Sequence, residues 1–192
     1  MQADLSTRLN RGAIVAAAAK VFARLGFAAT RVEDLLEASG IARRTFYKYF
    51  DSKEDVLSAL YDVATGELLQ ALQSMPRAGR APLDVLWSGL DMYLDYFVEN
   101  AALIKVLMEQ AARSDSPLAD ARRRFRGEVA VFMALASDAA DKECDPMVYS
   151  ALISALEGVS LDLLASGAGA DELKRAKHVM RFILRRVLAP DS

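Results

Sequence analysis

Within six residues the chain carries three cations and a phenol, Arg43, Arg44, Tyr47 and Lys48. At about 100° per residue these four fall on one arc of a helix, while Phe46 and Tyr49 fall on the opposite side. Guanidinium and ammonium groups donate to phosphate oxygens, and Arg or Lys also donates to the acceptor edge of guanine. Such a face, with the Thr45 hydroxyl beside it, suits a DNA major groove. A surface that only needs solubility mixes its signs. Thr30 and Lys53 stand at two neighbouring helix starts, where unpaired N–H groups and the dipole favour an anion, so both are candidate phosphate clamps. Taken singly, each reads better as an ordinary cap or a solvated charge.

Other chemistries find little support. His178 is the one histidine, which excludes multi-His metal sites and places it on a solvent or dimer face. Cys144 is the one cysteine and lies in the polar run AspLysGluCysAspPro, without a resolving partner. No base, nucleophile and orienting group cluster in the sequence, so neither an enzyme nor a bound cofactor or metal is expected. The start MQADLSTRLNRG lacks a signal-peptide apolar run, and no apolar stretch is read as reaching the roughly 18 residues that span a bilayer. A soluble protein of the reducing cytoplasm is expected. Net charge is −2, yet residues 1–60 hold nine Lys/Arg against seven Asp/Glu, leaving fifteen against nineteen in the rest. That asymmetry is too small to prove a nucleic-acid partner, and the placement of the cations must decide.

The elements that would hold this face are helical. At 53% hydrophobic and 26% charged, with 5 prolines among 192 residues, the chain has a globular composition with room for long helices. Ile14, Ala18, Val21, Phe22 and Leu25 recur by threes and fours, predicting a helix over 11–25 with Gly26 past its end. Thr30 with Glu33 reads as a capping box for a short helix carrying Val32, Leu35, Leu36 and Ser39, stopped by Gly40. After the turn SerGlyIle comes the Arg43 segment. Ser52 with Asp55 then opens a helix striped by Leu57, Leu60, Tyr61, Ala64, Leu68 and Leu72. The Pro/Gly-rich stretch 75–82 breaks the chain. Between Leu83 and Glu99, Asp84, Ser88, Asp91, Asp95 and Glu99 form one narrow polar stripe, and further helices are expected over 101–113, 117–140, 146–165 and 171–188. No segment reads as a strand. The expected fold is all-α with about nine helices, divided into a helix-turn-helix domain at 1–52 and a helical body at 53–192, with helix 53–75 joining them.

As a string, residues 30–57 closely resemble the DNA-binding signature of the TetR family of transcriptional regulators. The matching positions are Thr30, Gly40, Ile41, Thr45, Phe46, Tyr47, Tyr49, Phe50, Lys53, Glu54 and Leu57, with the first helix ending in LeuGlyPhe. Ala42 departs from the Ser usual at the recognition-helix cap, Arg44 from Gly, and Leu36 and Ser39 from small alanines. The resemblance implies a three-helix DNA-binding head contacting an operator through Thr30, Arg43, Arg44, Thr45, Tyr47, Lys48, Tyr49 and Lys53. It also implies a linking helix, a variable effector-binding body, and a homodimer built by the last two helices.

In that body the resemblance places a small-molecule cavity among the middle helices, whose apolar inventory is Trp87, Tyr93, Phe97, Met108, Phe125, Phe132, Met133 and Tyr149. Each of them singly reads better as core. Ala151, Ala155 and Gly158 allow close helix approach, and Met180, Ile183, Leu184 and Val187 offer a stripe to a partner copy. The cations of ArgArgArgPheArg at 122–126 are expected to pair with the Asp84–Glu99 stripe. The resulting expectation is a repressor released from a palindromic operator by a small apolar effector. The rivals are a helical small-molecule-binding protein or enzyme with an incidental basic face, and a regulator whose effector is another protein.

Overall fold

The computed structural model describes residues 2–113, 115–138, 144–167 and 169–188. Among them every regular element is a helix: α1 (Gln2–Leu25), α2 (Val32–Ser39), α3 (Arg43–Phe46), α4 (Lys53–Gln73), α5 (Pro82–Glu99), α6 (Ala101–Ala111), α7 (Ala119–Asp138), α8 (Pro146–Ala165) and α9 (Ala170–Leu188). The all-α expectation holds. Several boundaries moved by a residue or two, and that of α1 by more. α1 begins nine residues before the expected Arg11, because residues 6–9 are exposed (Leu9 by 64%) and the sequence before Arg11 carries no apolar stripe to announce a helix. α7 begins at Ala119, after the Ser116 hydroxyl accepts from the Leu118 amide at 3.0 Å; its expected end at 140 lies outside the described residues.

The chain forms two compact units, Met1–Thr65 with Ala102–Arg122, and Gly66–Ala101 with Arg123–Ser192. In the first, α1 packs on α2 around Ile14, Ala18 and Phe22, each fully buried, with Leu35 of α2, Phe46 of α3 and Leu57 of α4 equally inaccessible. Removing such side chains from water is the main source of stability, roughly 1.5–3 kcal/mol for each large one. Gly26 at φ +75° ends α1, a left-handed conformation that a Cβ would strain.

In the second unit α5 packs on α9 and α8, and α8 packs on α9. The polar stripe of α5 meets α9: Asp91 pairs with Arg181 and Asp95 with Lys177. Arg126, expected to pair with acidic residues such as this stripe, does not join it. Arg126 instead reaches α8, pairing with Glu157 and donating to the Ser150 carbonyl at 3.1 Å and the Ser154 hydroxyl at 2.9 Å. α8 also corrects the membrane reading: Pro146–Ala165, with a mean hydropathy of 1.5, is long and apolar enough by composition to cross a bilayer. Its length, 146–165, was expected; the apolar character of that length was not. It packs against α5 and α9, and Glu157 within it holds Arg126.

Candidate nucleic-acid interface

The turn between α2 and α3 is built from backbone requirements. Arg31 caps α2, its amide donating to the Asp34 carboxylate at 2.7 Å, and Gly40 at φ +66° closes the helix with its amide on the Leu36 carbonyl at 3.0 Å. Thr30 is therefore not the cap. It is 1% exposed and donates its hydroxyl to the Gly26 carbonyl at 2.7 Å, which fastens the α1–α2 loop and removes it from any phosphate.

α3 enters from Ala42 with no side-chain cap, and one regular turn passes into further turns through Phe50. Phe46 fixes its rotation. Fully buried, with ring centroids 5.3 Å from Tyr47 and 5.9 Å from Phe50, it leaves the opposite arc outward. Arg43, Arg44, Tyr47 and Lys48 are exposed there, as the spacing predicts, with Thr45 half-buried at the edge. The side chains of Arg44 and Lys48 make no hydrogen bond or ion pair among the described residues. Arg43 is engaged by Glu33 of α2. The backbone around Glu33, then the Arg43 guanidinium, hold that carboxyl below its ordinary value, and the Glu33 hydrogen bond raises Arg43.

Tyr49 is half-buried, and its hydroxyl accepts from the Asn10 side chain at 3.5 Å; hydrogen bonds from Asn10 and Thr7 lower its pKa. Lys53 is anchored inside the unit. Its ammonium donates to the carbonyls of Phe27 at 2.9 Å, Ala28 at 3.3 Å and Thr30 at 2.8 Å, and sits 4.6 Å from the centre of the Phe27 ring. An ammonium has three protons, and three carbonyls take them. Lys53 thus ties α4 to the α1–α2 loop. Spacing identified the outward arc but missed both Glu33, an opposite charge ten residues before Arg43, and this loop anchor.

In the second unit, Tyr93, Phe132 and Met133 line an apolar cavity of about 30 Å³ together with Leu72, Gly89, Met180 and Leu184. Phe97 stacks on Tyr93 at 4.2 Å, and Phe125 and Tyr149 are buried without reaching the cavity. Trp87 is half-buried with its indole N–H unpartnered among the described residues, and Met108 belongs to the first unit. Of the residues expected to meet a partner copy, Ala151 and Gly158 are exposed and Ala155, Ile183 and Val187 half-buried. Met180 and Leu184, only 1% and 2% exposed, face the cavity instead. The apolar side chains presented outward by α8 and α9 are Met147, Leu161, Val179 and Phe182, the last 58% exposed.

Comparison with known proteins follows this division. Residues 14–60 match the family described as bacterial regulatory proteins, tetR family. The HTH-type transcriptional regulator EthR of Mycobacterium tuberculosis is 34% identical over 109 residues, covering 54% of this chain and 48% of that protein. The chain thus spans about half the length of the curated relatives it matches. A transcriptional regulator from Rhodococcus superposes with a TM-score of 0.76 at 18% identity, over 95% of this chain and 99% of that one. Thermus thermophilus FadR, a TetR-family transcriptional repressor in complex with lauroyl-CoA, gives 0.71 at 20% identity over 95% and 97%. The sequence of its head, residues 14–60, is thus that of the tetR family of bacterial regulatory proteins, and nearly the whole chain shares the fold of the solved regulators it superposes on.

Proposed function

We propose that the protein is a DNA-binding transcriptional regulator of the cytoplasm, a repressor that occupies a palindromic operator as a homodimer and leaves it when a small apolar effector enters the second unit. The observation that carries this reading is the outward arc of α3. The buried Phe46 orients the helix, and the side chains of Arg44 and Lys48 project from it into solvent beside the exposed Tyr47, whose hydroxyl is hydrogen-bonded with Arg43. Backbone phosphates set the register, and Arg43, Arg44, Thr45, Tyr47 and Lys48 read the groove. Arg43 takes part once a phosphate or base competes with Glu33.

The partner copy docks on α8 and α9, where Gly158 and Ala151 let helices approach closely and Leu161, Val179 and Phe182 supply apolar contact. A two-fold dimer presents two copies of α3, so half-sites lie about one helical turn or a multiple of it apart. Effector release follows if the effector binds better to the form whose two heads no longer match that spacing. The names of the relatives, HTH-type transcriptional regulators, and the lauroyl-CoA held by a structural neighbour support the same reading.

Selection of bound duplexes from a random pool tests it. The expected result is enrichment of one near-palindromic sequence, and a pool that stays unenriched after repeated rounds at moderate salt refutes the function.

A further inference from the structure

The cavity of the second unit is small and apolar. No Asp, Glu, Lys, Arg or His lines it, and the one lining side chain with a polar atom, Tyr93, is held in place by its stack on Phe97 at 4.2 Å. Burying a charge among Leu90, Val129 and Leu156 would have no compensating partner. Its volume of about 30 Å³ is well short of the roughly 150 Å³ that admits a benzene-sized guest. A lining side chain must therefore move before anything larger than a water enters.

Phe132 is the side chain placed to do so. Its ring closes against Gly89, where a Cβ would stand 2.9 Å from Phe132 Cε1 and 3.1 Å from Leu72 Cδ2. The absence of a side chain at position 89 is what lets the ring lie shut. The exposed Arg77, just beyond α4, places its guanidinium 5.4 Å from the ring centre. The ring thus lies between the cavity and a surface cation.

We propose that this cavity takes an uncharged hydrocarbon chain, and that Phe132 is the gate that swings off Gly89 to admit it, with Arg77 holding the gate closed. The proposal rests on the effector-responsive reading above and gives its ligand class and its control point. The flexible thioethers of Met133 and Met180 then line the opened space and repack around the guest.

The test is a fluorescence titration of the full chain with the uncharged probe N-phenyl-1-naphthylamine. Phe132→Ala is expected to bind it roughly tenfold more tightly than the parent, and Arg77→Ala severalfold. Bound probe is expected to be displaced by 1-decanol and not by 1,10-diaminodecane, which has a similar chain with a charge at each end. Equal probe affinity in parent and Phe132→Ala overturns the gate. Displacement by the diamine at the decanol concentration overturns the ligand class. Should Phe132→Ala lose its helical circular dichroism, Phe132→Leu and the surface variant Arg77→Ala make the same comparison. No DNA enters these titrations, so a chain that binds the probe as described but enriches no duplex loses only the regulator reading, and the converse result loses only the gate.

Discussion

At the scale of single residues, Glu33 governs how much of the cationic arc is available. Its carboxylate pairs with Arg43 across the α2–α3 turn, so under the proposed function DNA would have to compete with it for that guanidinium. Glu33→Gln is expected to tighten binding to a generic duplex severalfold and to steepen the dependence on salt by about one counterion, read as the slope of log K against log salt. Acid should act in the same direction. The folded-state pKa of Glu33 is lowered, so the pair's contribution is present above the ordinary carboxyl range and is lost as pH falls through the depressed value. The parent should approach the Glu33→Gln behaviour there, and the variant should show less of this change. The outward arc was legible in the sequence because Phe46 has one place to go. Thr30 and Lys53 were not, since a hydroxyl or an ammonium near a helix start serves a carbonyl of the preceding loop as readily as an anion, and only the path of the loop at Gly26–Thr30 decides between them.

At the scale of elements, α3 is the least supported helix in the first unit. It has a single regular turn, and Ala42 offers its free amides no acceptor. The buried Phe46 holds it in place of a cap. Ala42→Ser is expected to raise stability by about 1 kcal/mol, seen as a higher urea midpoint at unchanged slope. Two helix ends were readable from their caps: Gly40 closes α2, and Ser52 accepts from the Asp55 amide at 3.2 Å. The orientation of α9 was not. It carries an inner stripe of Ala176, Met180, Leu184 and Leu188 and an outer pair, Val179 and Phe182, and helical spacing alone does not say which of two apolar faces meets the core. The partner for the α5 carboxylates was missed for the same reason, because α9 cations and α7 cations are equally plausible until the packing of α5 on α9 is known.

At the scale of the whole molecule, DNA binding through one short helix is weak, and two copies joined by a two-fold axis raise it by making the second contact intramolecular. Phe182 stands outward with the Arg186 guanidinium 5.6 Å from its ring centre, so Phe182→Asp leaves the interior of the chain untouched. Sedimentation should show dimer association on the order of thirtyfold weaker, with a parallel loss of affinity for a palindromic duplex and little change for a single half-site. The all-helical architecture could be read from period and punctuation, whereas the cavity required coordinates, since it depends on a ring and a glycine 43 residues apart, Phe132 and Gly89, coming into contact.

The most direct measurement is fluorescence anisotropy of a labelled selected operator titrated with the parent, Tyr47→Ala and Lys48→Ala at matched salt. Both side chains are exposed, so both variants should keep the parent's thermal melt. The expected result is at least roughly a tenfold loss of operator affinity for each, with Lys48→Ala also lowering the salt slope by about one. Parent-like affinity in both variants would show that this face of α3 does not meet DNA.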